Sequence, residues 1–108
     1  MIKQFKISAS EIKKLIDIKG SCIASDRITV DGRLVGYMYR ESSTNVSDTG
    51  WRFFAGDEDA SYTSNANNFG IYELNTICNY DNSIIPYLNR PKGTKLEREG
   101  QAFIEVNE

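Results

Sequence analysis

The sequence predicts an α+β fold: a single domain with a mainly antiparallel sheet, built as a β-meander plus a C-terminal hairpin, with an N-terminal helix and two short helices in the second half. Three observations carry this. Apolar residues alternate at period two over 22–41, 50–56 and 94–106, as half-buried strands require. Over 9–18, 71–78 and 83–88 they recur at helical spacing instead. No repeat, linker or low-complexity tract separates the two kinds of segment, so 1–108 reads as one domain in which 1–19 is an N-terminal strand and helix extension.

Each element has a local cause. After an opening alternation, Ser8-Ala9-Ser10-Glu11 offers a capping box, Ile12, Leu15 and Ile16 form an apolar stripe, and Gly20 is placed to end a helix over 9–18. Asp31-Gly32 is a pair suited to a type I′ turn and predicts a hairpin of 22–30 with 33–41. In that register Val30 faces Arg33, Ile28 faces Val35 and Ala24 faces Tyr39, leaving Arg27, Thr29, Leu34, Met38 and Arg40 on a mixed second face. Asp26 then falls on the apolar face, either as a hydrogen-bonded buried carboxylate or turned out by a bulge.

Residues 42–49 read as a polar loop and 50–56 as a third strand, with Trp51, Phe53 and Ala55 on one face and Arg52 and Phe54 on the other. Residues 60–68 read as a surface loop. Ile71, Leu74, Ile77 and Cys78 make a helical stripe, and Asp81-Asn82-Ser83 supplies N-cap chemistry for a second short helix with Pro86 in its first turn. A last hairpin turns at Glu99-Gly100 and directs Phe103, with either Ile104 or Val106, to the core.

Composition excludes several chemistries. The chain has no histidine, which removes Ser-His and Cys-His dyads and histidine-bearing zinc sites. Cys22 and Cys78 read as small buried hydrophobes. Asp57-Glu58-Asp59 suggests a calcium loop, but position six of that template would be Tyr62 and position twelve Asn68, where glycine and a bidentate glutamate belong. No metal, cofactor or catalytic residue is therefore assigned, and the expectation is that the protein is not an enzyme. Asn45-Val46-Ser47 matches a glycosylation sequon that carries no meaning without an export signal. No apolar run approaches the roughly 20 residues of a membrane helix, and the N-terminus lacks signal-peptide features, so a cytoplasmic protein without membrane contact is expected.

The net charge of −2 is unevenly spread. Residues 41–89 hold Glu41, Asp48, Asp57, Glu58, Asp59, Glu73 and Asp81 against Arg52 alone, while basic residues concentrate towards the two ends. An acidic middle repels nucleic acid and steers a basic partner.

The ordered segments Gly20–Ile28, Gly36–Glu41, Asp48–Glu58, Asn68–Tyr72, Leu74–Asp81 and Ile84–Leu88 together resemble a bacterial family first described as a domain of unknown function and also classed as immunity protein family thirty-three. The resemblance covers about residues 20–106, an immunity-protein-like domain, and leaves the N-terminal helix outside. It implies a cytoplasmic protein that binds and neutralises a cognate bacterial toxin, and brings no defined active residues with it. An inhibitor of this kind needs only a complementary surface. The expected contact is the acidic run Asp57, Glu58 and Asp59, mimicking phosphate towards the basic cleft of a toxin such as a nuclease, with Trp51 or Phe54 as an aromatic anchor. A monomer or weak homodimer is expected. The competing reading is a ligand-binding or self-associating module whose dimer contact is the mixed hairpin face around Leu34 and Met38.

Overall fold

A computed structural model describes residues 3–107. Six short strands, β1 (Ser21–Ser25), β2 (Tyr37–Arg40), β3 (Asp48–Phe54), β4 (Phe69–Glu73), β5 (Lys95–Glu99) and β6 (Ala102–Glu105), form one sheet in the order β4-β1-β3-β2-β5-β6. Every neighbouring pair is antiparallel except β1 with β3. The helices are short: α1 (Asp26–Thr29), α2 (Ala60–Thr63) and α3 (Leu74–Tyr80), joined by 3-10 turns at Ala9–Glu11, Ala66–Asn68 and Asn82–Tyr87. The α+β class and the mostly antiparallel sheet are as expected.

Period-two alternation sorts the strands into two faces. One carries Cys22 and Ala24, Met38, Trp51 and Phe53, Leu96 and Phe103, all buried against Leu74, Ile77 and Cys78 of α3 and against Ile84 and Leu88 beyond it. Trp51 and Phe53 stack with ring centroids 6.1 Å apart, and the Trp51 indole N–H donates to the Leu88 carbonyl at 3.2 Å, satisfying the one polar atom this ring takes into the core. Both thiols are free and buried, and burial raises both, that of Cys78 to about 11.

The expected Asp31-Gly32 hairpin does not form. A type I′ turn needs positive φ at both central residues, and only Gly32 has it, at +79°. Ser25 instead caps α1 by accepting from the Arg27 amide, and the Val30 and Asp31 amides return to the Asp26 carbonyl. Gly32 then takes the chain out of the helix in the left-handed conformation. A local helical turn has thus displaced the turn of a hairpin, and β3 lies between β1 and β2. Ala24 consequently pairs with Phe53 and Gly70, and Tyr39 with Arg52 and Lys95. Asp26 opens α1 and accepts from Lys3 Nζ at 2.8 Å. Met38 is fully buried and Leu34 stands exposed on the loop before β2, so the mixed face proposed for self-association does not exist.

The N-terminal helix is also shorter than its pattern. The Ser8 amide donates to the Glu11 carboxylate at 3.1 Å, the returning half of the capping box, yet one 3-10 turn is all that follows. Asn75 and Asn79, one turn apart on α3, take over the backbone. The Lys13 amide donates to Asn79 Oδ1 at 3.0 Å, those of Leu15 and Ile16 donate to Asn75 Oδ1 at 2.7 and 3.2 Å, and the Lys13 carbonyl accepts from both carboxamides. Residues 12–20 therefore run as an extended strap along α3, with Ile16 against the core. Met1 and Ile2, where the expected opening strand begins, lie outside the described residues.

In the second half, the stripe expected as a helix from Ile71 is divided: Ile71 is in β4, opposite Ile23 and largely exposed, and α3 begins at Leu74. Asp81 does cap the next turn, accepting from the Ser83 amide at 3.0 Å, and Pro86 sits inside that 3-10 turn. The C-terminal hairpin forms with Glu99 opposite Ala102. Gly100, at φ +66°, occupies the first central position as a type II′ turn prefers. Phe103 points to the core and Ile104 away from it.

Substitution Asn75→Ala removes three of the bonds that hold the strap. It is expected to lower stability by about 1–2 kcal/mol and to speed tryptic cleavage at Lys13, Lys14 and Lys19, with the strand signal in circular dichroism unchanged.

Candidate functional site: the open face of the sheet

Strands that bury one face must place their other residues on the second. Here the second face carries Ile23, Phe69 and Ile71 towards the β4 edge, Arg52 and Phe54 at the centre, and Tyr37, Tyr39, Lys95 and Glu97 towards β5. Among the described residues no helix of α3's size covers it. The segment 57–68 folds over one side, where the Tyr62 ring meets Phe69 edge-on at 5.8 Å and Phe69 meets Phe54 at 5.7 Å. Phe54 stacks on Tyr39 at 5.9 Å, and Tyr37 lies 5.9 Å from Tyr39 and 6.1 Å from Phe54. The result is a continuous, half-buried aromatic surface with a hollow of about 230 Å³ lined by Tyr37, Tyr39, Phe54, Gly56, Glu58 and Thr63.

Beneath this surface lies an unusual charge. Arg52 is on the open face of the central strand, and its side chain is only 8% exposed. Its guanidinium donates to Glu41 Oε2 at 2.7 Å, to both carboxylate oxygens of Asp48 at 3.0 and 2.7 Å, and to the Trp51 carbonyl. Hydrogen bonding from Arg52 holds the Asp48 carboxyl far below the usual carboxylate range, and the same contacts raise Arg52.

The structure separates the residues that the sequence grouped as a contact. Trp51 is fully buried on the core face, so of the two candidate anchors it is Phe54 that lies on the open face. Asp57 is held between two arginines, Arg27 at 2.6 Å and Arg33, which depress its carboxyl to about 2. Glu58 accepts the Ala55 and Gly56 amides at 2.8 and 2.9 Å. Burial pushes its carboxyl up, but bonds from Ser25 and those amides outweigh it and leave it below the usual value. Asp59 caps α2, accepting from the Tyr62 amide at 2.8 Å. The three acids therefore fasten the turn that carries the chain off β3, and only Glu58 lines the aromatic hollow. Tyr37 and Tyr39 were missed as site residues; their i, i+2 spacing was visible, but the false hairpin register placed them on its core face.

Among the described residues no cluster of histidine, cysteine or carboxylate side chains is arranged to hold a metal ion, and no helix is long and apolar enough to cross a membrane. Fold and site together define a small α+β domain that closes one face of its sheet and presents the other as an aromatic surface. The model of the Immunity protein Imm33 domain matches residues 22–107, and the chain belongs to that family. This membership associates it with toxin immunity. Neither a curated protein nor a solved structure gives a significant match.

Because Asp48 and Asp57 titrate lower in the folded chain than unfolded, their contribution is complete above the unfolded value of about 3.9 and is lost as pH falls through the folded values. Thermal unfolding should thus be nearly flat around neutrality and drop steeply only below about pH 4. Asp48→Asn leaves the buried guanidinium with Glu41 as its one carboxylate. Urea denaturation should show a loss of about 2–3 kcal/mol, below the ~3–5 kcal/mol of a fully orphaned buried charge.

Proposed function

We propose that this protein is a cytoplasmic immunity protein that binds a cognate bacterial toxin through the open face of its sheet and needs no chemistry of its own to do so. The observation that supports the reading is the half-buried aromatic surface of Tyr37, Tyr39, Phe54 and Phe69, which among the described residues no helix of α3's size covers, in a chain of the Imm33 family. Half-buried tyrosine and phenylalanine rings on a rigid strand scaffold supply contact area at little entropic cost and are the side chains from which binding hot spots are made. Asp59, exposed on the adjoining turn, lies at the rim of this face, beside an Asp57 whose charge is already met by Arg27 and Arg33. Rim charges act on encounter rate more than on affinity, so a partner with a basic cleft, as in a toxin that cleaves nucleic acid, is the complementary one.

The test is co-expression with the toxin encoded in the neighbouring open reading frame, followed by binding kinetics on the purified pair. Phe54→Ala should raise Kd by about tenfold or more through faster dissociation. The triple change Asp57→Asn, Glu58→Gln, Asp59→Asn should slow association and flatten its salt dependence while altering dissociation less. Absence of any complex, or of any relief of toxicity, would refute the proposal.

A further inference from the structure

We propose that the protein forms a weak twofold dimer in which the free edge of β4 pairs antiparallel with β4 of a second copy, centred on Ile71. The inference goes beyond the toxin-binding reading and concerns a part of the sheet that the reading does not use.

One hydrogen bond and the register fix which backbone groups face outward. The Leu74 amide donates to the Gly20 carbonyl at 2.9 Å, and opposed residues of an antiparallel pair alternate between bonded and non-bonded. Cys22 with Tyr72 and Ala24 with Gly70 are therefore bonded pairs, while Phe69, Ile71 and Glu73 are non-bonded and direct their N–H groups away from β1. The Phe69 carbonyl accordingly accepts from the Lys3 ammonium at 2.9 Å. At Ile71 neither the N–H nor the C=O has a partner among the described residues.

The two edges of the sheet differ. At β6 the Val106 amide donates to the Lys95 carbonyl, so the same alternation turns Phe103 and Glu105 outward. There the Phe103 amide donates to Tyr87 Oη at 3.1 Å, and Arg90, lying over the Tyr87 ring, pairs with Glu105 at 2.8 Å. β4 has no comparable cover at its centre. It contains no lysine or proline, its register with β1 runs unbroken, and Ile71 is 75% exposed next to Ile23 and Phe69. An edge of this kind is a template for another strand.

A second copy fits the template. A twofold axis at Ile71 sets this residue against its own counterpart, where the two exchange both N–H···O=C bonds and bring their side chains together on the open face. The same axis sets Glu73 of each copy opposite Phe69 of the other, beside the ammonium that Lys3 holds there. Glu73 is exposed, makes no capping bond on α3 and has no ion pair among the described residues. Lys3 uses two of its three donors, on Asp26 and on Phe69, and the third is left for the arriving carboxylate. Asp26 already balances the Lys3 charge, so this contact orients the pair more than it strengthens it. The two Glu73 side chains stand four residues apart along the pair, about 13 Å, which exceeds the screening length of roughly 8 Å. Both open faces end on the same side of one continuous sheet.

Sedimentation velocity of the full chain tests the dimer directly. A dissociation constant of about 100 µM, suited to a small interface, gives a monomer at low micromolar concentration and a dimer near millimolar. Ile71→Lys puts a charge on the axis against itself, at a site too exposed to disturb the fold, and should keep the chain monomeric. Ile104→Lys, on the other edge, should leave the dimer intact, and Glu73→Lys should weaken it about threefold or more. Across the axis the Cα atoms at position 71 stand about 5.5 Å apart, within disulfide range. Ile71→Cys should therefore oxidise to a covalent dimer, and Ile104→Cys far more slowly. A chain that stays monomeric near millimolar concentration overturns the proposal, as does a dimer that survives Ile71→Lys or dissolves with Ile104→Lys. Protection of the Ile71 amide from exchange that appears only on addition of the toxin would assign this edge to the toxin and overturn the second copy as its occupant.

Discussion

The arrangement of the sheet depends on one buried guanidinium. Arg52 sits in the middle of the central strand on the face away from α3, and a charge in that position is tolerable only when its donors are met. Asp48 meets it from the start of β3 and Glu41 from the residue that follows β2, so the clamp spans the loop between the two strands. Asp48 also accepts the Gly50 amide at 2.9 Å, and Gly50 is at φ +88° with the Glu41 carbonyl where a Cβ would stand. A left-handed residue, a close backbone crossing and an ion cluster thus coincide at one end of the β2–β3 pair. A well-packed apolar residue could replace such a cluster with little loss of stability. What the cluster adds is a polar centre on an otherwise aromatic face, which makes that face poorly suited to burial in the protein's own core.

The same pairing explains why the charge profile along the chain is not the charge profile of the surface. The acidic middle meets arginines brought from its flanks: Arg27 and Arg33 reach Asp57, and Arg98 reaches Asp81, whose side chain is 4% exposed. Asp81 also accepts the Val35 amide and the Ser83 amide, so a single carboxylate ties α3, the following turn, β5 and the loop before β2 together. Much of the negative charge that looked available for a partner is therefore spent internally. Among the described residues the carboxylates divide into those with an arginine salt bridge and those, such as Glu58 and Glu97, without one.

Much of the scaffold was legible because its causes are local. The Asp81 N-cap, the Glu99-Gly100 turn and the burial of Trp51 and Phe53 each follow from residue types at fixed short spacings, and tertiary contacts do not compete with them. The misreadings occurred where two local solutions compete. Ser25-Asp26 at the end of a strand can cap a helix as readily as continue a hairpin, and Gly32 serves either outcome. Residues 12–18 have a helical stripe, but Asn75 and Asn79, some sixty positions away, offer their backbone better partners than a short isolated helix could keep. The candidate site suffered most. Its aromatic residues come from β2, β3 and β4, and only the strand order β4-β1-β3-β2 brings them to one face.

The two faces of the sheet divide a packed core from an open aromatic surface. The family match begins at residue 22, whereas the strap before it is held by α3 and by contacts such as the Phe5 ring against Tyr72 at 5.8 Å. Both α3 and Tyr72 belong to the closed side of the sheet. The strap therefore adds hydrogen bonds and apolar cover to the half of the molecule that is already closed, without crossing Tyr37, Tyr39 or Phe54. Changes in β2, at Phe54 and in the turn behind it fall on the open face instead. A rigid closed side is also what lets the open face keep its rings in place while unbound, since strands anchored through Trp51, Phe53 and Met38 cannot turn their other residues inward.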